Sequence, residues 1–259
     1  MKTAKAPAAA AQPALKKPPA RRSRSARAER AEISRAAVVE CAVALAQREP
    51  LAEISIVRLG RELGVTPGLI HYYVGSRDDL LSAVMNHAFR ERLDALSPPT
   101  GNWRRDLEAV ARATQRTHVR WPGLATYIAT HNRFRLFQRV EPGETDYELA
   151  FFIHVGSILR GGGFSGEQAA LAYHLLMLFL VSVGASTAQR QMPSEDEEFI
   201  VGYVSKADAK ALPGASFLAQ PFARIDAQST FDAGLKLLLD GFDGWLAGKT
   251  APALSRVES

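Results

Sequence analysis

The stretch GVTPGLIHYYVGSRDDLL (Gly64–Leu81) places two helix starts close together. Thr66 precedes Pro67, an N-cap hydroxyl followed by proline at the first helical position. Ser76 precedes Arg77, Asp78 and Asp79, a second cap with acids where the helix dipole favours negative charge. Between the caps there is room for about two helical turns, too few for a helix to be stable alone. On the N-terminal side, Gly64 stops a helix capped by Ser55, in which Ile56, Leu59 and Leu63 face inward. Before that, Ile33, Ala37, Cys41 and Leu45 recur every four residues. They predict a first helix from about Ala28 to near Arg48, broken by Pro50. On the C-terminal side, Leu80, Leu81, Val84, Met85, Ala88 and Phe89 predict a helix from Arg77 to about Leu96, ended by SPPTGN.

A helix, a glycine turn and a short helix make a helix-turn-helix. Val65, Ile70 and Val74 dock the short helix, and Thr66, Pro67, Gly68, His71, Tyr72 and Tyr73 form its outward side. Pro67 and Gly68 keep the tip slim enough to enter a major groove. A hydroxyl, an imidazole and two phenols there can bond base edges or phosphates, and ring faces can pack on thymine methyls. Ser55 and Val57, opening the preceding helix, are counted with this DNA-facing set. So is Arg77, where a cation and free backbone N–H groups suit a phosphate. Spacing alone leaves plain core packing as an equal alternative, since aromatics are more often buried than functional.

The chain has 259 residues, 47% hydrophobic and 23% charged, enough for one or two globular domains with a substantial core. Its single cysteine, Cys41, excludes an internal disulfide framework and sits in an apolar helical pattern as core. The longest apolar run, LLMLFLVSVGA (Leu175–Ala185), reads as too short to span a membrane. No signal peptide is expected, so the expected location is the cytoplasm. The net charge of +5 is uneven: residues 1–28 hold eight Lys or Arg and no acid, which leaves the remainder at −3. That segment, rich in Ala, Pro, Lys, Arg and Ser, is expected to be a disordered arm, either solubilising or reaching for nucleic acid.

Further helices are predicted over Trp103–Arg120, Pro122–Val140, Thr145–Arg160, Gly166–Gln191 and Thr230–Ala247. Another follows a capping box of Ser194 and Glu197, carrying Phe199, Ile200, Tyr203 and Val204. No sustained period-two alternation argues for strands, so the fold class is all-α. None of the six histidines forms a zinc-enzyme pair, no phosphate loop follows a strand, and no nucleophilic triad can be argued. The expectation is therefore no metal, no cofactor and no enzyme activity.

The string ISIVRLGRELGVTPGLIHYYVGSRDDLLSAVM closely resembles the N-terminal domain of TetR-family transcriptional regulators. The likeness covers about Ala31 to Phe89. It includes Gly64, Val65, Thr66, Gly68, Ile70, the aromatic cluster, Ser76, an Arg for the usual Lys at position 77, and Asp78–Leu80. His71 replaces the usual tyrosine and Gly60 the usual alanine, the latter a change expected to loosen the second helix slightly. The resemblance implies a three-helix helix-turn-helix domain over 29–96 and a helical-bundle ligand and dimerisation domain over 97–250, between the compositionally read arm over 1–28 and an expected disordered tail over 251–259. It also implies a homodimer on a pseudo-palindromic double-stranded operator, released by a small-molecule effector, and no membrane partner. TFDAGLKLLLDGF near the end is similar to a last helix used in dimerisation. Leu175, Leu178, Val181, Ser182 and Ala185 were candidates to join Phe231, Leu235, Leu238 and Phe242 across a two-fold axis or simply to build core.

For the effector site the resemblance points to Trp121, Tyr127, His131, Phe152, His174 and Met177, each equally served by packing. Arg105, Arg112, Arg116 and Arg120 share one helical stripe, either a solvated face or a site for an anionic or amphipathic effector. Ligand-independent regulation, activation, and a helical small-molecule-binding protein or enzyme with a vestigial helix-turn-helix remain the alternatives at this point.

Overall fold

Local capping decides where most of the helices start. The computed structural model describes residues 33–131, 138–206 and 212–248. The expected arm (1–28), the tail (251–259) and the predicted helix start near Ala28 lie outside the described residues. Helix α1 (Arg35–Ala46) begins where the Ser34 hydroxyl accepts from the Ala37 N–H. Its buried side is Val38, Ala42, Leu45 and Ala46, whereas Ile33, Ala37 and Cys41 are only half-buried. The expected stripe is displaced because three helices clasp α1 from different sides. Burial, followed by the Glu62 charge, pushes the Cys41 thiol pKa up, away from the thiolate.

A 3-10 turn (Leu51–Glu53) leads to α2 (Ile56–Glu62), where Ser55 caps through the Arg58 N–H as expected. Then come α3 (Pro67–Val74) and α4 (Arg77–Asp94). Ser76 and Asp79 form a reciprocal capping box at the start of α4. Helix α3 buries Ile70 and Val74 against α1, α2 and α4. Thr66 departs from expectation: it occupies the N-cap position, but its hydroxyl makes no capping bond.

Gly64 takes φ of +66° in the turn, a conformation costly for other residues. Gly60 has a role that the sequence did not suggest. A Cβ there would lie 2.9 Å from the Val65 carbonyl oxygen and 3.4 Å from the Pro67 nitrogen. The missing side chain lets the turn close over α2. Gly60→Ala adds about 1 kcal/mol of helix propensity in an open helix. Here it is expected to leave the thermal midpoint unchanged or lower. A clear rise on thermal unfolding contradicts this reading.

The remaining helices are α5 (Trp103–Arg120), α6 (Pro122–Thr130), α7 (Tyr147–Gly161), α8 (Gly166–Ala188), α9 (Glu197–Ser205), α10 (Pro213–Ala223) and α11 (Ala227–Leu246). Helix α6 stops well short of Val140, because His131 turns to extended backbone and residues 138–140 are not helical. Asp146 starts α7, its carboxylate accepting from the Glu148 and Leu149 N–H groups. Boxes of Ser165 with Gln168 and of Asp226 with Ser229 start α8 and α11. Helix α8 sits centrally against α5, α6, α7 and α11, and Phe151, Val155, Leu176, Leu180, Phe231 and Leu235 fill the space between them.

Two further expectations are corrected, and one open alternative is decided. A 3-10 turn (Pro193–Asp196) replaces the Ser194–Glu197 box, and Phe199 and Tyr203 face solvent beside exposed Phe217 and Leu218 of α10. Phe231, Leu235, Phe242 and Ala185 are core of this chain, not free interface. The helical run from Gly166 to Ser205, of mean hydropathy 1.8 in its most apolar window, is long and apolar enough to cross a membrane by length and composition. The uncharged residues around Leu175–Ala185 extend that run. Its α8 portion packs as the central helix of the bundle.

Candidate nucleic-acid interface and effector cavities

The tip of α3 is held from behind and open in front. Thr66, Pro67, Gly68 and His71 are exposed, and Tyr72 is 80% exposed. Tyr73 is half-buried and meets Tyr72 edge to face, ring centroids 5.2 Å apart, which limits the rotation of both rings. The His71 Nδ1 lies 2.7 Å from the Gly75 carbonyl, so the imidazole folds back along α3 and its other edge remains outward. Val57 stands exposed at the start of α2, beside Ser55, whose hydroxyl is occupied by its cap.

Arg77 does something other than the sequence suggested. Its Nε donates to the Ile54 carbonyl at 2.8 Å, and its Nη2 to those of Ala52 at 2.9 Å and Leu51 at 3.2 Å. The guanidinium is thus engaged inside the domain, clamping the 3-10 turn to the start of α4. The same turn receives α6. A Cβ on Gly123 would come 2.7 Å from the Leu51 nitrogen and 2.9 Å from the Pro50 Cα, so α6 rests on the helix-turn-helix domain with no slack. Tyr127 of α6 brings its phenol to Arg77, although burial raises the phenol's pKa overall.

The six residues proposed for a pocket separate. Tyr127 and His131 stack, centroids 3.9 Å apart, and line a cavity of about 330 Å³ with Pro50, Leu51 and Thr126. Trp121 is buried, its Nε1 donating to Glu91 at 3.1 Å, where Arg120 also bonds. Phe152 is exposed and sits edge-to-face on Tyr173; His174 is exposed; Met177 packs half-buried against the core. Among the arginines of the stripe, Arg112 pairs with Glu108 and Asp232, and Arg120 with Glu91. Arg105 and Arg116 line a separate cavity of about 330 Å³ beside His154.

A further apolar cavity is one that the residue types did not single out. A cavity of about 360 Å³ lies between α5, α8 and the start of α11, walled by Val119, Leu180, Val183 and Phe231 and by His118. Its size falls in the range of small-molecule sites. His118 is 6% exposed, and burial, followed by the Arg92 charge, lowers its pKa to about 4. Leu107, Ala111, Thr114 and His118, all buried, repeat at helical spacing, and that stripe is the signal that could have revealed it. Pro122 and Ala188 border both this cavity and the one at Tyr127, so the start of α6 is the wall between them.

Behind α4, Arg92 and Glu148 form a buried ion pair to α7, with the guanidinium 3.6 Å from the Phe151 ring centroid. Among the described residues, no three of His, Cys, Asp and Glu come together as a metal site.

Comparison with known proteins adds a family. The domain described as "Tetracyclin repressor-like, C-terminal domain" matches residues 97–245. The HTH-type transcriptional repressor DrrR1 of Streptomyces coeruleorubidus is 34% identical over 87 residues, 34% of this chain and 32% of that protein. The HTH-type transcriptional regulator BetI of Brucella anthropi is 27% identical over 79 residues, 30% of this chain and 41% of that protein. The chain thus spans well under two thirds of the length of these curated relatives. Among solved structures, apo ActR of Streptomyces coelicolor superposes with a TM-score of 0.69 at 24% identity, covering 85% of this chain and 100% of that one. ActR has also been solved in complex with actinorhodin. SCO7222 of the same organism gives 0.63 at 21% identity, covering 81% of this chain and 97% of that one. These structural likenesses establish the shared fold.

Proposed function

Because the chain belongs to the TetR family, we propose that it is a homodimeric transcriptional repressor that leaves its operator when a small molecule enters the body. The observation that carries the DNA-binding part is the tip of α3. It presents a hydroxyl unused by its cap, a slim Pro67–Gly68 edge and an exposed phenol, on a helix whose other side is buried. Residues 29–95 carry eight basic against ten acidic side chains, so the eight cations of residues 1–28 supply the charge for a polyanion.

Dimerisation is assigned to the outer sides of α8 and α11, which pack beside each other and leave Leu178 and Leu237 exposed. Two copies of such a pair make a four-helix contact across a two-fold axis. An exposed apolar helix face in a soluble protein calls for a cover of this kind. Such a protein would work in the cytoplasm, where its DNA is.

The route from effector to DNA runs through α6. An effector between α5 and α8 presses on Pro122. Helix α6 abuts the 3-10 turn at Gly123, and Arg77 ties that turn to α4. A shift of α6 therefore reorients α3 relative to the body. The effector favours that state only by the difference in its affinity for the two.

The test is operator affinity. Tyr72→Ala and Pro67→Ala are each expected to weaken specific binding by about 1–3 kcal/mol per lost base contact. Circular dichroism and dimerisation should be unchanged, because both side chains face outward. Wild-type affinity in a folded double variant contradicts the assignment.

A further inference from the structure

We infer that helices α9 and α10 are a lid for the cavity between α5, α8 and α11, and that Leu218, Phe222 and Ile225 close over an uncharged apolar ligand there. The inference rests on the ligand-responsive reading above and adds residues to its effector site. Both roots of the helix pair stand on the rim of this cavity. Ala188, which ends α8, and Ala227, which starts α11, both line it, and α9 and α10 lie between them in the chain. The Ser194 N–H donates to the Ile225 carbonyl at 3.1 Å, so the two roots are tied side by side and the pair can move as one piece. On the α5 side of the mouth, Val119 is 69% exposed. The lining holds no Lys, Arg, Asp or Glu, so a charged ligand would lose its water there and find no counter-charge.

The pair has no core of its own. Helices α9 and α10 pack chiefly on each other and on the 3-10 turn at their base. Helix α9 buries no residue, and α10 buries only Ala223. Leu218, Phe222 and Ile225 recur at helical spacing on one side of α10. Their exposure falls from 59% through 48% to 38% towards the cavity rim. An apolar face that starts at the edge of an apolar cavity and runs out into water is buried if it folds back over that cavity. The 11 residues of α10 make about 16 Å of helix, enough to cross the mouth. The hinge is Arg190. It ends α8 with φ of 54°, the one positive φ outside glycine among the described residues. That conformation suits glycine at a helix end, and a larger residue keeps it only where its surroundings impose it. Here the restraints are surface ion pairs, Arg190 with Glu195 at 2.6 Å and Arg224 with Glu197 at 3.5 Å. Exposed pairs of this kind resist rotation weakly.

The probe is N-phenyl-1-naphthylamine, an uncharged dye that fluoresces in apolar surroundings, titrated into the full chain. Phe222→Ser should weaken its binding about tenfold, mostly through faster dissociation, because the closed lid loses an aromatic contact. Phe199→Ser, equally a loss of an exposed ring but on α9, should leave the affinity unchanged. Circular dichroism and the urea midpoint should match the wild type in both variants, since neither ring is buried in the open protein. In the wild type, the backbone amides of α10 should exchange more slowly with dye bound than without it. Wild-type dye affinity in Phe222→Ser, an equal loss in Phe199→Ser, or no dye binding by the wild type overturns the inference. So does a Phe222→Ser variant whose dimer dissociates more readily in sedimentation while its dye affinity holds, which would assign the face to a second copy. Release of the operator is read in parallel. Slowed exchange in α10 and weaker dye binding by Phe222→Ser, without release from the operator, contradict the ligand-responsive reading alone. Release by the dye with full affinity in Phe222→Ser contradicts the lid alone.

Discussion

Glu148→Ala is expected to destabilise the folded protein by about 3–5 kcal/mol, the usual result of removing one partner from a buried ion pair. Arg92 and Glu148 are both buried, and the pair joins α4, which carries the helix-turn-helix, to α7 of the body. Burial pushes the Glu148 carboxyl pKa up, against the pull of the Arg92 charge and hydrogen bond. Without the carboxylate, Arg92 would keep its charge in an apolar setting between Phe89 and Phe151, with an Nε already unpartnered. The double change Arg92→Met with Glu148→Leu should recover most of the loss, because neither charge then has to be buried. Exposed pairs such as Arg104 with Asp240 and Asp243 should cost under about 1 kcal/mol when broken. Urea unfolding of the single and double variants measures all three. A Glu148→Ala loss no larger than that of the exposed pairs contradicts the buried joint.

Acid should weaken the protein through His118. The imidazole is about 4 in the folded state against an ordinary 6.5, so the folded form binds this proton less readily than the unfolded chain does. The sign follows: the stabilisation is complete above pH 6.5 and is lost as pH falls towards 4. Over that window the residue accounts for about 3 kcal/mol. His154, also held low by burial, contributes with the same sign. The decisive quantity is therefore the difference between wild type and His118→Phe, measured by urea unfolding at pH 7 and at successive steps down to pH 4. The wild type should lose more stability than the variant. Parallel pH profiles would show that His118 is not the buried titrating group.

The sequence disclosed most where a feature depends on residues a turn apart. Ser55 and Ser76 cap as expected, and the Ile70–Val74 side of α3 is buried, because hydroxyl spacing and apolar period act within single helices. What three helices decide together was less legible. The α1 stripe moved to Val38 and Ala42, since its burial is set by α2, α3 and α4 at once. Helix α10 escaped notice because its prolines look like breakers. Pro213 sits at the first position, where no N–H is needed, and Pro221 near the end, where only one turn is affected. Arg77 looked like a phosphate ligand because the acceptors it bonds lie more than twenty residues away. The cavity at His118 was hidden for a related reason: its walls, Val119, Leu180, Val183, Phe231 and His118, are brought together from α5, α8 and α11, far apart in the chain.

The measurement that bears most directly on the central claim is selection of bound sequences from random double-stranded DNA by the full-length protein, followed by footprinting of the enriched site. The account predicts a pseudo-palindrome whose half-site centres lie about one helical turn, ~34–36 Å, apart, protected by two copies of the chain. It also predicts that protection fades when an effector is added. No enriched sequence, or a single unpaired half-site bound by one copy, would contradict it.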